Sequence, residues 1–399
     1  MTMKKLITIL ITALAILAFS SVKTNAIPAF ARKYQISCQV CHSPAAPALK
    51  AFGDEFAGNG FRLTEYESPR YFIPAGDDRL GLIRDFPIAV RMDGHVTYNF
   101  NNEGSADFGV PFGLKIMSGG ELSEKLSYYF YFYMNERGEV AGVEDALLIF
   151  NDLLGTGVNV TIGQFQACDA LFKRELRLTL EDYVIYTVKP GTSGTSLKYD
   201  RGIVLDYGLP TGTGFIAEIV NGSGIGEAGE GFVFDYDRYK NVLLKVSQDI
   251  GDFLSVGFFG YTGREVLHSS PLLSKSDIRM FGPDLALNID DKLLVNLQYM
   301  QRTDSRVYLE TPLSILLEDV TTRGGFGEVT YAPKGDRSNW YLTALYNYID
   351  SDLAGADYQS ATIHAGYLLR RNVRLVTEYT RVLSGVEYGK ASMGFISAF

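Results

Sequence analysis

The chain is poor in cysteine, in basic residues and in long apolar runs. Only three cysteines occur, Cys38, Cys41 and Cys168, whereas a disulfide-built extracellular fold would carry more of them, in an even number. The 37 basic residues are outnumbered by 46 acidic ones, which argues against a nucleic-acid partner because phosphates need a basic surface. After the first 26 residues no apolar stretch reaches the length of a membrane-spanning helix, about 20 residues.

Residues 1–26 are predicted to be a cleaved secretory signal peptide. Lys4 and Lys5 form a positive start, an apolar stretch follows, and a Thr-Asn-Ala site ends at Ala26. A membrane anchor is the rival interpretation, but the apolar stretch is short for a bilayer span. Because the leader contains Lys4, Lys5 and Lys23 and no acid, its removal takes the net charge from −9 to −12. Such a charge suits cationic small partners, including metal ions.

Residues 38–42 read Cys-Gln-Val-Cys-His, the pentad that attaches a c-type haem. Two thiols three positions apart reach both vinyl groups of one porphyrin, and His42 then supplies the proximal imidazole. A thioredoxin-like redox pair and half of a zinc site are the competing interpretations of Cys38 and Cys41. A second cysteine pair for zinc is missing, and no βαβ pattern surrounds the motif. The sequence therefore predicts one covalently attached haem c on Cys38, Cys41 and His42.

The distal ligand of this iron must come from elsewhere. Methionine and histidine are the usual ligands in cytochromes c. No methionine occurs between residue 27 and Met92, and no second histidine occurs before His95. We expect the ligand to come from the C-terminal part of the chain, or water to take its place. The chain has only four histidines. This number is too small to supply two histidine ligands to each of several additional haems.

From about residue 85 onward, apolar and polar residues alternate in segments of about ten residues separated by turn residues. This pattern is typical of a transmembrane β-barrel, although a single such strand also occurs in soluble sheets. The clearest segments lie around 88–100, 293–302, 339–348 and 361–370. Their repetition predicts a mainly β fold, an outer-membrane β-barrel of about 16 strands over 85–399.

The expected strands begin near residues 88, 107, 125, 142, 158, 200, 213, 240, 253, 276, 291, 322, 338, 358, 371 and 386. Short turns then alternate with long loops, as bacterial barrels require. We predict long loops at 167–199, 221–239, 263–275 and 303–321. Short turns are predicted at 251–252, 290–291, 333–337 and 370–372. The terminal Phe399 resembles the aromatic signal that the outer-membrane assembly machinery reads.

Several other segments receive an assignment from composition. The aromatic run at 128–133 suits an interfacial girdle. The Gly-rich stretch 222–231 does not open a helix after a strand, so we assign it to an outer loop and not to a nucleotide site. The charged segment 172–177 either folds inward and constricts the lumen or is a solvated part of the longest loop. Cys168 in the same loop is expected to be an ordinary small loop residue and not a reactive thiol.

Strand parity assigns the candidate distal ligands. His95, His364 and Met117 fall on lumen-facing positions of their strands, whereas Met92 falls on a lipid-facing one. His95 ranks first as the candidate axial ligand of the haem iron. The alternative is that His95 is an ordinary polar residue of the lumen.

The N-terminal part resembles the outer-membrane monohaem cytochrome–porin fusions, which include the iron-oxidising cytochromes of iron bacteria. The resemblance is carried by the sequences at 27–34, 38–42, 47–53 and 59–61. Over the remaining chain it extends only to the order of leader, haem motif and barrel. It implies a monohaem cytochrome segment at 27–84 with Cys38, Cys41 and His42 as its haem residues. Iron as the electron donor is implied by this resemblance alone.

The expected function is single-electron transfer across the outer membrane of a Gram-negative bacterium. Electrons would pass from extracellular Fe(II) or another donor to a soluble periplasmic carrier, in contact with outer-membrane lipid. Because the lipid-facing band is about 25 Å tall, the cytochrome segment is expected to plug the lumen, with both termini periplasmic. Whether the chain is an enzyme, an Fe(II) oxidase, stays open. A porin with a haem-based redox gate or sensor is the alternative, and outward electron transfer to an extracellular acceptor is a third interpretation.

Overall fold

The computed structural model describes residues 29–63, 86–100, 104–269, 272–309 and 315–399. The predicted signal peptide lies outside the described residues. The described N-terminal part contains three short helices, α1 (Ala29–Tyr34), α2 (Cys38–Cys41) and α3 (Ala51–Gly58). Among the described residues no helix is both long and apolar enough to cross a bilayer.

The described remainder consists mainly of sixteen strands. They are β1 (Ile88–Asn99), β2 (Ser105–Ser123), β3 (Leu126–Glu136), β4 (Gly142–Phe150), β5 (Asn159–Gln166), β6 (Tyr199–Gly208), β7 (Thr213–Val220), β8 (Asn241–Ile250), β9 (Leu254–Ser269), β10 (Leu272–Ile289), β11 (Leu293–Leu309), β12 (Ile315–Tyr331), β13 (Trp340–Ser351), β14 (Tyr358–Arg370), β15 (Val373–Val382) and β16 (Tyr388–Ala398). Most of them begin within two residues of the predicted positions.

Each strand pairs antiparallel with its neighbours in the chain, and β1 pairs with β16 to close the ring. Closure leaves no free edge among the described strands, which is the condition for a sheet to sit in lipid. The predicted mainly β fold and the 16-stranded barrel are therefore confirmed. The short turns and the two ends of the barrel domain lie at one mouth, which we call the short-turn mouth, and the longer loops lie at the other.

The outward surface of the barrel is apolar. Along β13, Trp340 and Leu342 are 42% and 39% exposed, while Tyr341, Thr343 and Asn347 on the opposite face are buried. Period-two alternation therefore directs apolar side chains outward and polar ones into the lumen. This face and the closed ring of strands confirm the predicted outer-membrane location.

Two predicted long loops are wrong. The segments 263–275 and 303–321 belong largely to strands, because β9 pairs with β10 and β11 with β12 well beyond the expected strand ends. Cross-strand hydrogen bonds continue there, and charged pairs such as Arg264 with Asp277 support them. The loops at 167–199 and 221–239 and the four short turns lie where they were predicted.

The loop between β5 and β6, residues 167–198, folds into the lumen, and we call it the inner loop. Its buried residues Cys168, Ile185 and Tyr186 form a core with wall residues such as Met300 and Phe326. Tyr183 stacks on Phe326 with ring centroids 4.0 Å apart. Of the two interpretations of segment 172–177, the inward-folded one is therefore confirmed. Burial raises the pKa of the Cys168 thiol, which keeps it protonated, as expected of a packing residue.

The aromatic run at 128–133 is only partly a girdle. Tyr129, Tyr131 and Tyr133 pair with Gly119, Met117 and Lys115 of β2 and face the lumen. The alternate residues of the run face outward. Successive side chains of a strand point to opposite faces, so three of these aromatic residues face the lumen and the other three face outward. The composition of the run alone does not reveal this division.

Candidate functional site

The two motif cysteines lie on one turn of helix α2. The hydroxyl of Ser37 accepts a hydrogen bond from the backbone N–H of Gln39 at 3.4 Å and caps this helix. Both thiols are half-buried and neither forms a disulfide. Burial raises the pKa of Cys38 and of Cys41. The two sulfur atoms therefore sit on one short helical turn, as attachment to one porphyrin requires.

The ring of His42, the residue after this helix, is fixed by the backbone. Its Nδ1 lies 3.3 Å from the carbonyl oxygens of both Pro47 and Ala48. A proton on Nδ1 donates to these carbonyls and leaves the Nε2 lone pair free. Burial lowers the pKa of His42, which favours the neutral imidazole that metal ions bind. A free Nε2 held from behind by carbonyls is the arrangement of a proximal ligand.

Helix α3 packs closely against the motif. A Cβ atom added to Gly53 would lie 2.2 Å from the carbonyl oxygen of Cys41, so only glycine permits this approach. Phe56 on the same helix is buried, whereas Phe52 is 41% exposed. Phe61 stacks between Phe30 of α1 and Tyr129 of the barrel wall, with centroids 4.8 and 4.9 Å apart. Aromatic packing thus joins the helices to the inner wall of the barrel.

The helical segment 29–63, which we call the plug, occupies the short-turn mouth. Lys50 forms an ion pair with Asp336 in the turn between β12 and β13 at 2.6 Å, and the side chain of Gln39 donates to the Asp336 carbonyl. Ala45 is buried against Tyr341 of β13 and Leu178 of the inner loop. The plug is therefore anchored both to the wall and to the inner loop.

The inner loop reaches down to the plug from the other side. Lys173 forms an ion pair with Asp54 of α3 at 2.6 Å, and Asp54 has a lowered pKa because of that charge. Leu180 and Glu181 donate their backbone N–H groups to Glu378 on β15 at 2.6 and 2.9 Å. Plug, inner loop and wall thus form one connected layer across the lumen.

A charged contact ties the inner loop to β2 and β3 of the wall. Glu175 Oε2 lies 3.3 Å from Lys115 Nζ and accepts a hydrogen bond from the Tyr131 hydroxyl at 3.1 Å. Burial alone would raise the pKa of Glu175, but Lys115 and Arg177 outweigh it and hold the pKa below its usual range. Sequence reasoning missed this contact, because Lys115 and Glu175 lie 60 positions apart.

His95 lies in the lumen wall, as parity predicted, and is 2% exposed. Among the described residues, neither of its ring nitrogens has a hydrogen-bond partner. A Cβ atom added to Gly394, which faces His95 on β16, would lie 2.4 Å from Nδ1, so the glycine makes room for the ring. Phe112 packs edge-on against it. Buried polar atoms usually have a hydrogen-bond partner, which makes this imidazole a candidate for binding a further group.

The other candidate ligands differ from His95. His364 Nδ1 lies 2.9 Å from Glu378 Oε2, and its Nε2 lies 3.4 Å from the Tyr341 hydroxyl, so both nitrogens are engaged. Met117 pairs with Ala89 and Tyr131 on lumen-facing positions. Met92 lies on the outward face, as predicted, opposite Leu114.

The residues present fit a c-type haem. Two free thiols share one helical turn, and the following imidazole is held through Nδ1, which leaves Nε2 as the atom for the iron. Within the part of the chain that the structure describes, no group of three or more His, Cys, Asp or Glu side chains could hold a metal ion by itself. The zinc interpretation of the motif therefore gains no further ligand from the described residues.

The comparisons with known proteins concern the barrel. No protein-family model matches the sequence, and no curated protein does. Among solved structures, the chain is similar to an anion-selective porin from Comamonas acidovorans, with a TM-score of 0.56 and 12% identity over 79% of this chain and 99% of that one. The outer-membrane channel DcaP of Acinetobacter baumannii gives 0.55 and 12% over 79% and 97%. A loop-deletion variant of OmpT from Vibrio cholerae gives 0.53 and 13% over 79% and 99%. At these identities the likeness shows the fold, that of an outer-membrane porin barrel.

Proposed function

We propose that the chain is an outer-membrane monohaem cytochrome that transfers single electrons across the membrane, from an extracellular donor such as Fe(II) to a soluble periplasmic carrier. The observation that carries the proposal is the place of the two thiols and the His42 imidazole, inside the short-turn mouth of the barrel. A haem c bound there would supply one-electron redox chemistry.

The chain's own residues hold and orient that group. Cys38 and Cys41 would form the two thioether bonds, and His42 would bind the iron through Nε2. The carbonyls of Pro47 and Ala48 keep Nδ1 protonated and prevent the ring from turning. Such an outer hydrogen bond also raises the basicity of the ligand.

Plug and inner loop together support a sealed barrel. Lys50 with Asp336 and Lys173 with Asp54 fasten the plug at two sides. The inner loop fills the lumen above it with buried aromatic side chains. A packed protein layer does not stop an electron from tunnelling, whereas solutes need a continuous aqueous path.

We further propose His95 as the distal ligand. It is buried on the lumen wall and its nitrogens have no partner in the described part of the chain, whereas His364 is engaged by Glu378 and Tyr341. The strand register relates His95 to the part of the wall that the plug contacts. Arg374 donates a hydrogen bond to Tyr341, against which the plug packs, and Arg374 and Asp93 both pair with Ile396. His95 stands two residues beyond Asp93 on the same lumen face.

Haem attachment is tested on the full-length protein produced in a Gram-negative host with a cytochrome c maturation system. Pyridine haemochrome spectra and intact mass should show one haem per chain in the wild type. The C38A/C41A double variant should carry none, and the matched C168A control should carry one. A wild-type protein without covalent haem under these conditions contradicts the proposal.

The visible spectrum tests His95. We expect His95→Ala to convert a six-coordinate low-spin haem to a high-spin one, because the iron loses its sixth ligand. Met117→Leu and His364→Gln, which alter the other two candidates, should leave the spectrum unchanged. An unaltered low-spin spectrum in His95→Ala eliminates this residue, while the attachment experiment remains unaffected.

A second candidate is a channel for a small solute in which the haem acts as a redox gate or sensor. The porin fold of the barrel favours it. Liposome swelling separates the two candidates. A sealed barrel whose haem is reduced by external Fe(II) supports the conduit, and sugar flux through the reconstituted protein supports the channel. The measured haem potential then decides between inward and outward electron flow.

A further inference from the structure

The outward face of the β9–β10 hairpin changes character near its outer end. Its cross-strand pairs run from Phe258 with Pro283, through Gly260 with Phe281, to Thr262 with Arg279. Phe258 and Phe281 are 54% and 43% exposed and belong to the apolar band. The next outward positions are charged: Arg279, then Arg264 with Asp277, then Lys275. The apolar surface therefore ends in a cluster of cations.

These cations exceed the acids that face them. Arg264 pairs with Asp277. In the described part of the chain, Arg238, Lys275 and Arg279 form no ion pair with a carboxylate. The chain as a whole carries a net charge of −9, so three unpaired cations at one boundary of the apolar band are a local excess. We call Arg238, Arg264, Lys275 and Arg279 the basic rim.

Three cations of the basic rim surround the ring of Tyr239. The Arg264 and Arg238 guanidinium carbons lie 5.2 and 5.3 Å from the ring centroid, and Lys275 Nζ lies 5.8 Å from it. Arg238 also donates to the Tyr239 hydroxyl at 3.4 Å. Hydrogen bonds from Arg238 and Lys275 lower the pKa of Tyr239 to about 8. The aromatic ring holds three cations together that would otherwise repel one another.

A surface cavity of about 310 Å³ opens between these side chains. Its lining consists of Tyr236, Asp237, Arg238, Tyr239, Val266 and Lys275. The carboxylate of Asp237 is hydrogen-bonded to the backbone. Its two oxygens accept hydrogen bonds from the backbone N–H groups of Tyr239 and Val266 at 2.7 and 3.1 Å. This acid therefore fixes the loop against β9, and the cations remain available to an external anion.

We propose that the basic rim binds the phosphate groups of the glycolipid in the outer leaflet of the outer membrane. The rim stands on the lipid-facing side, directly beyond the apolar band, at the depth where lipid headgroups lie. Arginine and lysine are the side chains that bind phosphate oxygens with charge-assisted hydrogen bonds. The apolar neighbours Phe258 and Phe281 lie where acyl chains of the same lipid would pack.

Native mass spectrometry of the detergent-solubilised full-length protein tests the rim with two probes, bisphosphorylated lipid A and a fully dephosphorylated lipid A. We expect the triple variant R238Q/K275Q/R279Q to bind the phosphorylated lipid about 100-fold more weakly, from roughly fivefold per charge. The matched triple K125Q/K292Q/R381Q removes the same charge from exposed residues that each pair with a carboxylate. Its affinity should stay within about twofold of wild type by the same reasoning.

Three outcomes overturn the proposal. One is equal binding of the phosphorylated lipid by the two triple variants when both run as folded barrels in unheated gels. Another is equal affinity of the wild type for the phosphorylated and dephosphorylated lipids. The last is displacement of the lipid by millimolar inorganic phosphate, which would make the rim a site for the free anion. None of these results bears on haem attachment.

Discussion

Replacement of Glu175 by glutamine should release the inner loop from the wall. The change removes the carboxylate that faces Lys115, whose side chain is 9% exposed, and leaves a buried cation without its counter-charge. Loss of one partner of a buried ion pair costs about 3–5 kcal/mol. Lys115 keeps its contacts with the hydroxyls of Tyr131 and Tyr133, and Glu175 is itself 20% exposed, so we take the lower end. About 3 kcal/mol corresponds to roughly a 100-fold shift toward the released loop.

Two assays follow that shift. Conductance in planar bilayers should rise in Glu175→Gln, because the inner loop no longer fills the lumen. In outer-membrane vesicles, trypsin should cleave after Lys173 and Arg177 faster than in wild type. Glu387→Gln is the matched control: it removes a carboxylate from an exposed pair with Arg381 at the outer end of the barrel, where the cost stays below about 1 kcal/mol.

The contact also predicts a pH dependence. Because the pKa of Glu175 is lowered in the folded protein, its contribution is complete above the usual glutamate pKa of about 4.3 and is lost as the pH falls through the lowered value. Wild-type conductance should therefore rise in strong acid, toward the level of the variant. Identical conductance and cleavage rates in Glu175→Gln and the control would refute the reasoning.

Three further predictions concern single positions. Gly53→Ala should lower the yield of haem-bearing protein, measured by haem staining per chain, because its Cβ would overlap the Cys41 carbonyl. Burial raises the pKa of Asp169 to about 7. Ionisation of such an acid destabilises the folded loop increasingly as the pH rises from about 4 to 7, so wild-type resistance to trypsin should fall over that range. In Asp169→Asn the resistance should stay constant over the same range. Tyr183→Phe leaves Glu328 without a hydroxyl donor at 3.0 Å and should lower stability by about 1–3 kcal/mol in urea unfolding; no change in midpoint would contradict this.

Strands and site were predictable to different degrees. The alternation along segments such as 339–348 is a local property, so strand positions and the lumen parity of His95 could be read directly. The extended hairpins around 263–275 could not, because charged pairs such as Arg264 with Asp277 look like loop residues until their register is known. The contact of Lys115 with Glu175 depends on a loop that turns inward, and nothing local encodes its partner. The pentad at 38–42 marks Cys38, Cys41 and His42 as candidate haem residues, but it does not predict the carbonyls that orient His42.

The seam of the ring lies beside the plug. The backbone groups of Val90 and Phe399 exchange two hydrogen bonds, at 2.7 and 2.8 Å, where the first strand meets the last residue. Arg32 of α1 donates to the carbonyl of Ile88, two residues away. The plug therefore touches the strand that closes the ring, so removal of the plug would weaken both the packing of this mouth and the junction between the first and last strands.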